Sequence, residues 1–372
     1  MKFVLLAALA ALLALPALAR AALPESGAVQ SGVDFIRTTQ QDDGGFGGFG
    51  PGQSMDAIYA IRAAGLDPNT FVSATGATPS DYLVAMAAAA TEPQDAAKAT
   101  LAAVALGLDP RAVGGVDFVA VIEAAFDADS GRHHASDFNQ AIIVVALVVA
   151  GEAVPVSAPK ALVAGQLADG GWGFGDAGDA DSTAIVVQAL IAAGSQPDDA
   201  VIAAAIAFLA EIQAEDGGWG FGGDSNANST AFVVQALVAA AIDPEGPQFT
   251  TASGATPIAY LLSQQQADGS FAGFDPAFAT NQVVPALAGR TFASAPVTPL
   301  APPAPATPTP EPTAEPMAPV PTATVPAPEP PSTGTGTGQA TGASGAIPLL
   351  ALASVLTAVI AAGGALLARQ RR

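Results

Sequence analysis

Residues 166–174 read QLADGGWGF and residues 213–221 read QAEDGGWGF, two nearly identical phrases that begin 47 positions apart. Each precedes a second shared phrase, STAIVVQAL at 182–190 and STAFVVQAL at 229–237. The glycines suit a tight turn between packed helices, because glycine adopts positive φ at little cost. Ser and Thr are good helix N-caps, so each pair of phrases predicts a turn that leads into an apolar helix starting at the Ser.

The same unit occurs six times along the chain. Residues 40–46 and 265–271 keep the phrase with Phe in place of Trp, residues 127–133 keep its glycine, and the copy at 78–106 keeps its helices without the loop. The last apolar residue of each second helix marks the copies: Ile61, Leu106, Leu147, Leu190, Leu237 and Leu287. Their spacing of 41 to 50 residues is typical of a unit that buries its apolar face by stacking on its neighbours.

These units predict an all-α fold, a closed (α/α)6 toroid of six helix-pair repeats. The second helix of each pair is apolar nearly all round, as at 185–193, which places it inside, whereas the more mixed first helix lies outside. Segments rich in Ala, Leu and Glu recur at helical spacing, and no stretch alternates as a strand would. Six pairs without polar capping repeats favour a ring over an open solenoid.

Composition divides the chain further. Residues 1–21 are typical of a secretory signal peptide, with Lys2, an apolar run and small residues at the exit. The toroid is expected at 28–293. Residues 294–345 read as a Pro/Thr/Gly-rich, disordered stalk, since 15 of the 36 positions at 296–331 are proline.

An apolar segment at 347–368 is long enough for a transmembrane helix, and the arginines of 369–372 form a cytoplasmic basic tail. We therefore expect an exported, single-pass protein anchored at the cell surface, with the toroid outside and the C-terminus in the cytoplasm. Pro331–Gly334 also resembles a cell-wall sorting signal. The C-terminal helix is thus either retained or processed by a sortase-like enzyme.

Charge and cysteine content exclude several classes. The repeat region has 29 Asp and Glu against 7 Lys and Arg, which argues against nucleic acid or anionic lipid as a partner. The chain has no cysteine, so disulfides and thiolate metal sites are excluded, and cohesion depends on repeat stacking.

The spacing Gln-x-x-x-Gly-x-Trp at 166–172 and 213–219 resembles the QW-type motifs of the squalene-cyclase and protein-prenyltransferase superfamily. That resemblance implies a closed α/α toroid with inner and outer rings of helices. The run at 278–292, FATNQVVPALAGRTF, is similar to the last inner helix of the cobalamin-binding transcobalamin and intrinsic-factor branch.

Polar side chains recur where the inner helices begin, and there each helix offers free N–H groups and a positive dipole end. Helix capping explains many of them; the alternative is a polar rim that grips a ligand. The predicted ligand-binding residues are Asp179, Asp181, Asn228, Thr230, Asn281, Gln282 and His133.

Three chemistries fit such a mouth differently. Residues 179–184, DADSTA, resemble the acidic motif of class II terpene cyclases, and this resemblance makes Asp181 the candidate general acid. Such cyclases also need an aromatic cavity, and those that act on triterpenes need a second domain. Protein prenyl transfer is excluded, since its zinc site needs a cysteine. The transcobalamin-like ending implies a corrinoid at the mouth, with His133 or His134 offering an imidazole to cobalt.

We therefore expect a cell-surface, non-catalytic binding module for an unknown extracellular small molecule or surface partner. Cobalamin is a possible ligand and no cofactor or metal is required; the carboxylates at 176–181 fit no strong calcium loop. The alternative is a terpene-cyclase-like enzyme with Asp181 as the acid. The two differ in the pocket: a binder needs a shallow polar mouth, and a cyclase a deep aromatic cavity that contains Asp181.

Overall fold

The computed structural model describes residues 26–48, 50–221 and 224–294. Within these ranges the chain forms α-helices, short 3-10 turns and isolated β-bridges, and no β-strand. The predicted signal peptide, the stalk beyond Ser294, the membrane helix and the basic tail lie outside the described residues. In the part of the chain that is described, no helix combines the length and hydropathy needed to cross a bilayer.

Helices alternate between an outer and an inner set. The outer helices are α1 (Ser26–Thr38), α3 (Pro79–Met86), α5 (Phe118–Ala124), α7 (Ser157–Ala164), α9 (Ala200–Glu211) and α11 (Pro257–Ser263). The inner helices are α2 (Pro51–Ala63), α4 (Pro93–Leu106), α6 (Asp137–Val149), α8 (Ala180–Ala192), α10 (Ala227–Ala239) and α12 (Pro276–Leu287). The inner helices are buried along most of their length, as their apolar sequences predict.

The contacts close the helices into a ring. Each inner helix packs against the next, and α12 packs against both α2 and α1. The side-chain amide of Gln265, in the last repeat, donates to the carbonyl oxygen of Ala28 in α1 at 3.0 Å. The first and last repeats are therefore joined in both the inner and the outer layer.

Each glycine-rich phrase fastens one repeat to the next. The Gln166 amide donates to Gly170 O within its own turn and to Val201 O in the following outer helix, both at 2.8 Å. Gly170 has φ +92°, and a Cβ there would lie 2.8 Å from the carbonyl oxygen of Ala204. The buried Trp172 donates from Nε1 to Leu162 O at 2.7 Å. The Gln, Gly and Trp of the phrase thus have structural roles.

The N-caps of the two most similar inner helices differ from the sequence prediction. Helix α8 is capped by Asp179, whose carboxylate accepts the Ser182 N–H at 2.7 Å. Helix α10 is capped by Asn226, which accepts the Ser229 N–H at 2.8 Å. The predicted Ser caps are wrong because an Asp or Asn three residues earlier is available as an equally good acceptor.

Candidate functional site

A cavity of about 120 Å³ lies at the centre of the inner ring and opens at the N-terminal ends of α8 and α10. It is walled by all six inner helices. The lining residues are Met55, Asp56, Tyr59, Lys98, Leu101, Phe138, Ile142, Val145, Phe174, Asp179, Asp181, Ile185, Phe221, Asn228, Phe232, Phe278, Gln282 and Phe292.

The lining is built in layers from equivalent repeat positions. One layer stands nine residues before the closing apolar residue of each inner helix and includes Phe138, Asp181, Asn228 and Phe278. The next layer, four residues further along each helix, lies about one helical turn deeper. It consists of Asp56, Leu101, Ile142, Ile185, Phe232 and Gln282. Each repeat therefore contributes a different side chain to the same level of the cavity.

Aromatic side chains form a continuous wall. The ring centroids of Phe138 and Phe232 are 6.0 Å apart with the planes at 72°, and those of Phe232 and Phe292 are 6.1 Å apart. Phe292 stacks on Tyr59 at 4.9 Å. Aromatic faces attract cations, so this wall suits a positively charged species that forms in the cavity.

The segment after α12 crosses the deep end of the cavity and closes it. The Tyr59 hydroxyl donates to the carbonyl oxygen of Thr291, and the Phe292 N–H donates to Gln188 Oε1 at 3.2 Å. The short turn at Phe292–Ser294 also packs against α6 and α8. The transcobalamin-like ending of the repeats thus forms the floor of the cavity.

Asp181 is a buried acid of the site whose pKa is strongly raised. It lies in the first turn of α8, and its Oδ1 is buried without a hydrogen-bond partner among the described residues. Burial raises the pKa of Asp181 to about 7, with a further rise from the Asp179 charge that a hydrogen bond from Ser229 opposes. Near neutral pH Asp181 therefore exists partly as a neutral acid inside an apolar cavity.

The neighbouring polar groups differ in role. Asp179 caps α8, and burial raises its pKa while hydrogen bonds from Ser182 lower it. Asn228 occupies on α10 the position that Asp181 occupies on α8, and its Nδ2 is likewise buried with no partner in the described chain. Asp181 thus offers the cavity an oxygen that can accept a hydrogen bond or carry a proton, and Asn228 offers an N–H donor.

A charged pair lies on a different part of the wall. Lys98 Nζ of α4 lies 3.0 and 3.2 Å from the two carboxylate oxygens of Asp56 on α2. The amide of Gln282 approaches Asp56 Oδ2 at 3.5 Å. Burial raises the pKa of Asp56, and the Lys98 ammonium opposes that rise.

Four of the seven predicted ligand-binding residues line the cavity, namely Asp179, Asp181, Asn228 and Gln282. The other three lie outside its lining. Thr230 accepts the Trp219 N–H at 2.9 Å, and Asn281 donates to Gln53 O at 3.2 Å, so both hold the backbone.

His133, the third of these residues, donates its backbone N–H to Gln140 Oε1 at 2.8 Å and packs its ring 4.8 Å from Phe126. The imidazole proposed for cobalt is thus buried in its own repeat and does not face the cavity. In the described ranges no cluster of His, Asp and Glu could hold a metal ion.

Lys98 and the aromatic wall are functional residues of the cavity that the repeat phrases alone do not predict. The signal was present in the repeats: when they are aligned on their closing residue, Phe138 and Phe278 fall at the position of Asp181, and Phe232 falls four residues later.

Comparisons with known proteins agree with this architecture. Residues 150–282 match the family model of the squalene-hopene cyclase C-terminal domain. No curated protein matches the chain. The repeats and the ring make the chain an α/α toroid repeat protein, and its residues 150–282 are similar to that cyclase domain.

Solved structures share the fold at low identity. Type II terpene cyclase MstE from Scytonema is similar with a TM-score of 0.51 and 15% identity, over 71% of this chain and 97% of that one. A protein from Actinoplanes gives a TM-score of 0.53 and 17% identity over 71% and 99%. Haptocorrin in complex with Cbi is similar with a TM-score of 0.50 and 15% identity, over 74% of this chain and 69% of that one.

The prediction of a non-catalytic binding module with a shallow polar mouth is wrong. The matching family model is that of a cyclase, and MstE, which shares the toroid, has been solved with geranylgeranyl dihydroxybenzoate as substrate and with merosterolic acid A as product. Seven aromatic side chains line the cavity, and Asp181 lines it too.

Proposed function

We propose that this protein is a class II terpene-cyclase-type enzyme that protonates a linear polyprenyl substrate in the central cavity, with Asp181 as the general acid. The observation that carries the proposal is the buried, unpartnered Oδ1 of Asp181 inside a cavity with seven aromatic side chains. The solved cyclases with the same toroid and the cyclase family match support it.

The protonation state of Asp181 fits this chemistry. A general acid works best when its pKa lies near the working pH, and burial brings the pKa of Asp181 to about 7. Transfer of the proton to a substrate alkene breaks the O–H bond of Asp181 and forms a C–H bond, which leaves a carbocation. The aromatic side chains of Phe138 and Phe232 line the cavity in which the positive charge forms.

The size of the cavity limits what it encloses. Its volume of about 120 Å³ is below the ~300–1,000 Å³ of ordinary ligand pockets, so only the reacting end of a long polyprenyl chain fits inside. The remainder of the chain leaves through the mouth, where Phe174 and Phe221 are 49% and 39% exposed. We therefore propose that the enzyme cyclises the terminal isoprene units of its substrate.

Charge in the cavity favours a substrate without a diphosphate. Lys98 is the one cation among the described residues that line the cavity, and Asp56 already neutralises it. Diphosphates are usually held by several Lys, Arg or metal ions, which this lining does not offer. An uncharged polyprenyl alcohol or hydrocarbon fits this lining better, because it brings no charge that the cavity would have to neutralise.

The proposal is tested by incubating the protein with squalene and, separately, with geranylgeraniol in D₂O, and analysing the products by mass spectrometry. We expect a cyclic product that carries one deuterium on carbon, delivered through Asp181. Asp181→Asn keeps the shape of the side chain and removes its acidity, so turnover should fall by about 10²- to 10⁴-fold.

Asp198→Asn is the matched control, because Asp198 is an exposed carboxylate outside the cavity, and it should leave turnover unchanged. Undiminished turnover in Asp181→Asn would refute the role of Asp181. A wild-type protein that consumes neither probe would refute the proposed function.

A further inference from the structure

Asp56 and Lys98 form an ion pair in the cavity wall. The proposed protonation by Asp181 does not involve this pair. The side chain of Asp56 is only 9% exposed and that of Lys98 26%, and both face the cavity rather than the outer surface. Such a buried ion pair stabilises the fold little, because the free energy of desolvating two charges is about as large as that of their attraction.

The ring places Asp56 on the helix opposite that of the acid. Around the ring the inner helices follow the order α2, α4, α6, α8, α10, α12, so α2 and α8 stand opposite each other. Asp56 belongs to the layer four residues deeper than that of Asp181, which corresponds to about 6 Å along a helix. A substrate that lies across the cavity therefore has Asp181 near one end and Asp56 near the other.

Asp56 also has the environment of a proton acceptor. Both of its oxygens lie close to Lys98 Nζ, which favours the carboxylate form, and Gln282 approaches one of them. Its layer is otherwise apolar except for Gln282, with Leu101, Ile142 and Ile185 excluding water. Because burial raises the pKa of Asp56, this carboxylate is a stronger base than one at the surface.

We propose that Asp56 is the catalytic base that ends the cyclisation, an inference that rests on the proposed function. A C–H bond next to the final carbocation breaks, its electron pair forms the double bond of the product, and the proton passes to the Asp56 carboxylate. Asp181 has lost one proton and Asp56 has gained one, so substrate and product are isomers and no water is consumed. Exchange with solvent then restores both side chains.

The test compares the products, not only the rate, of Asp56→Asn and of the double variant Asp56→Asn/Lys98→Met with those of the wild type. The single variant leaves Lys98 unpaired, whereas the double variant removes both charges and so keeps the cavity neutral. The probe is whichever of squalene and geranylgeraniol the wild type consumes, and thermal unfolding confirms that each variant is folded.

We expect both variants to keep consuming the probe, because Asp181 still protonates it. The ratio of the wild-type isomer to other products, namely alternative double-bond isomers and alcohols formed by water capture, should fall by at least about tenfold, since a positioned base contributes ~10²- to 10⁴-fold. A structural role alone would lower the melting temperature without changing that ratio. The exposed Asp198→Asn variant should leave the product ratio as in the wild type.

An unchanged product ratio in a folded variant would overturn the role of Asp56 and leave the proposed function standing. A wild type that consumes neither probe would overturn both. Loss of consumption in the double variant to the level of Asp181→Asn would also overturn the inference, because a terminating base is not needed for the first proton transfer.

Discussion

Replacement of Asp181 by Asn should stabilise the folded protein, and increasingly so as the pH rises. Burial raises the pKa of Asp181 to about 7, against 3.8 for an unperturbed Asp. Between these two values the unfolded chain has lost the proton of Asp181 and the folded chain still holds it. Rising pH therefore favours the unfolded state through this window, and the contribution is constant above it.

The magnitude follows from the two pKa values. They differ by about three pH units, and each unit is worth about 1.4 kcal/mol, so the full effect is about 4 kcal/mol. Between pH 5 and pH 8 only the range up to about pH 7 lies in this window, which is roughly two pH units. The free energy of unfolding of the wild type should therefore fall by about 3 kcal/mol relative to that of Asp181→Asn. Asp56 titrates in both proteins and cancels in the difference, whereas the coupling of Asp179 to Asp181 is part of the measured effect.

Urea unfolding of both proteins at the two pH values measures this difference without any knowledge of the substrate. The free energy of unfolding of Asp181→Asn minus that of the wild type should grow from pH 5 to pH 8, with equal denaturant slopes. Asp198→Asn, which changes an exposed carboxylate, should show no such growth. A difference that is flat with pH would mean that Asp181 is already ionised at pH 5, and the argument for a buried acid would fail.

Three further predictions test the acid, the cavity floor and the ring. Turnover should fall about tenfold for each pH unit above about 7, as Asp181 loses its proton, and a pH–rate profile measures this. Phe292→Ala should lower the free energy of unfolding by ~3–5 kcal/mol in urea titrations, because it removes a ring that is 8% exposed and stacks on Tyr59 at 4.9 Å. Gln265→Ala should lower it by ~1–3 kcal/mol in the same assay, because the bond to helix α1 at 3.0 Å is lost, whereas alanine at the exposed neighbour Gln266 should have little effect.

The repeat phrase predicts the fold well because its residues act locally. Gln166, Gly170 and Trp172 each bond or pack within their own turn or against the adjacent outer helix, so the pattern and its contacts lie within about one repeat. The helix caps were predicted less well, because Asp179 and Ser182 are both good caps in isolation and only the geometry of the turn decides between them.

The site was predicted in part, because its residues come from six different repeats. Asp181 was found through its resemblance to an acidic motif, but the aromatic wall was missed, since Phe138, Phe232 and Phe292 are far apart in sequence. Thr230 was placed in the site because it stands at a helix start, yet its hydroxyl accepts a backbone N–H instead. Proximity to a helix N-terminus does not distinguish a side chain that turns back to the loop from one that faces the cavity.

The two most similar repeats, those of α8 and α10, differ at positions that face the cavity, and that asymmetry is what the proposed single protonation requires. Thr183 and Thr230 accept the same backbone bond in their repeats, at 2.9 Å each, whereas the cavity-facing positions two residues earlier carry Asp181 and Asn228. A carboxylate at 228 would place a second acid on the helix next to α8, and two carboxylates in one apolar space would share a proton and titrate as a pair. With Asn at 228, Asp181 lies beside an uncharged donor instead of a second carboxylate, which suits the proposed protonation by Asp181. The carboxyl group in the deeper layer, that of Asp56, has the opposite proposed role. Because Asp56 is paired with the Lys98 ammonium, it is suited to accept a proton and not to donate one.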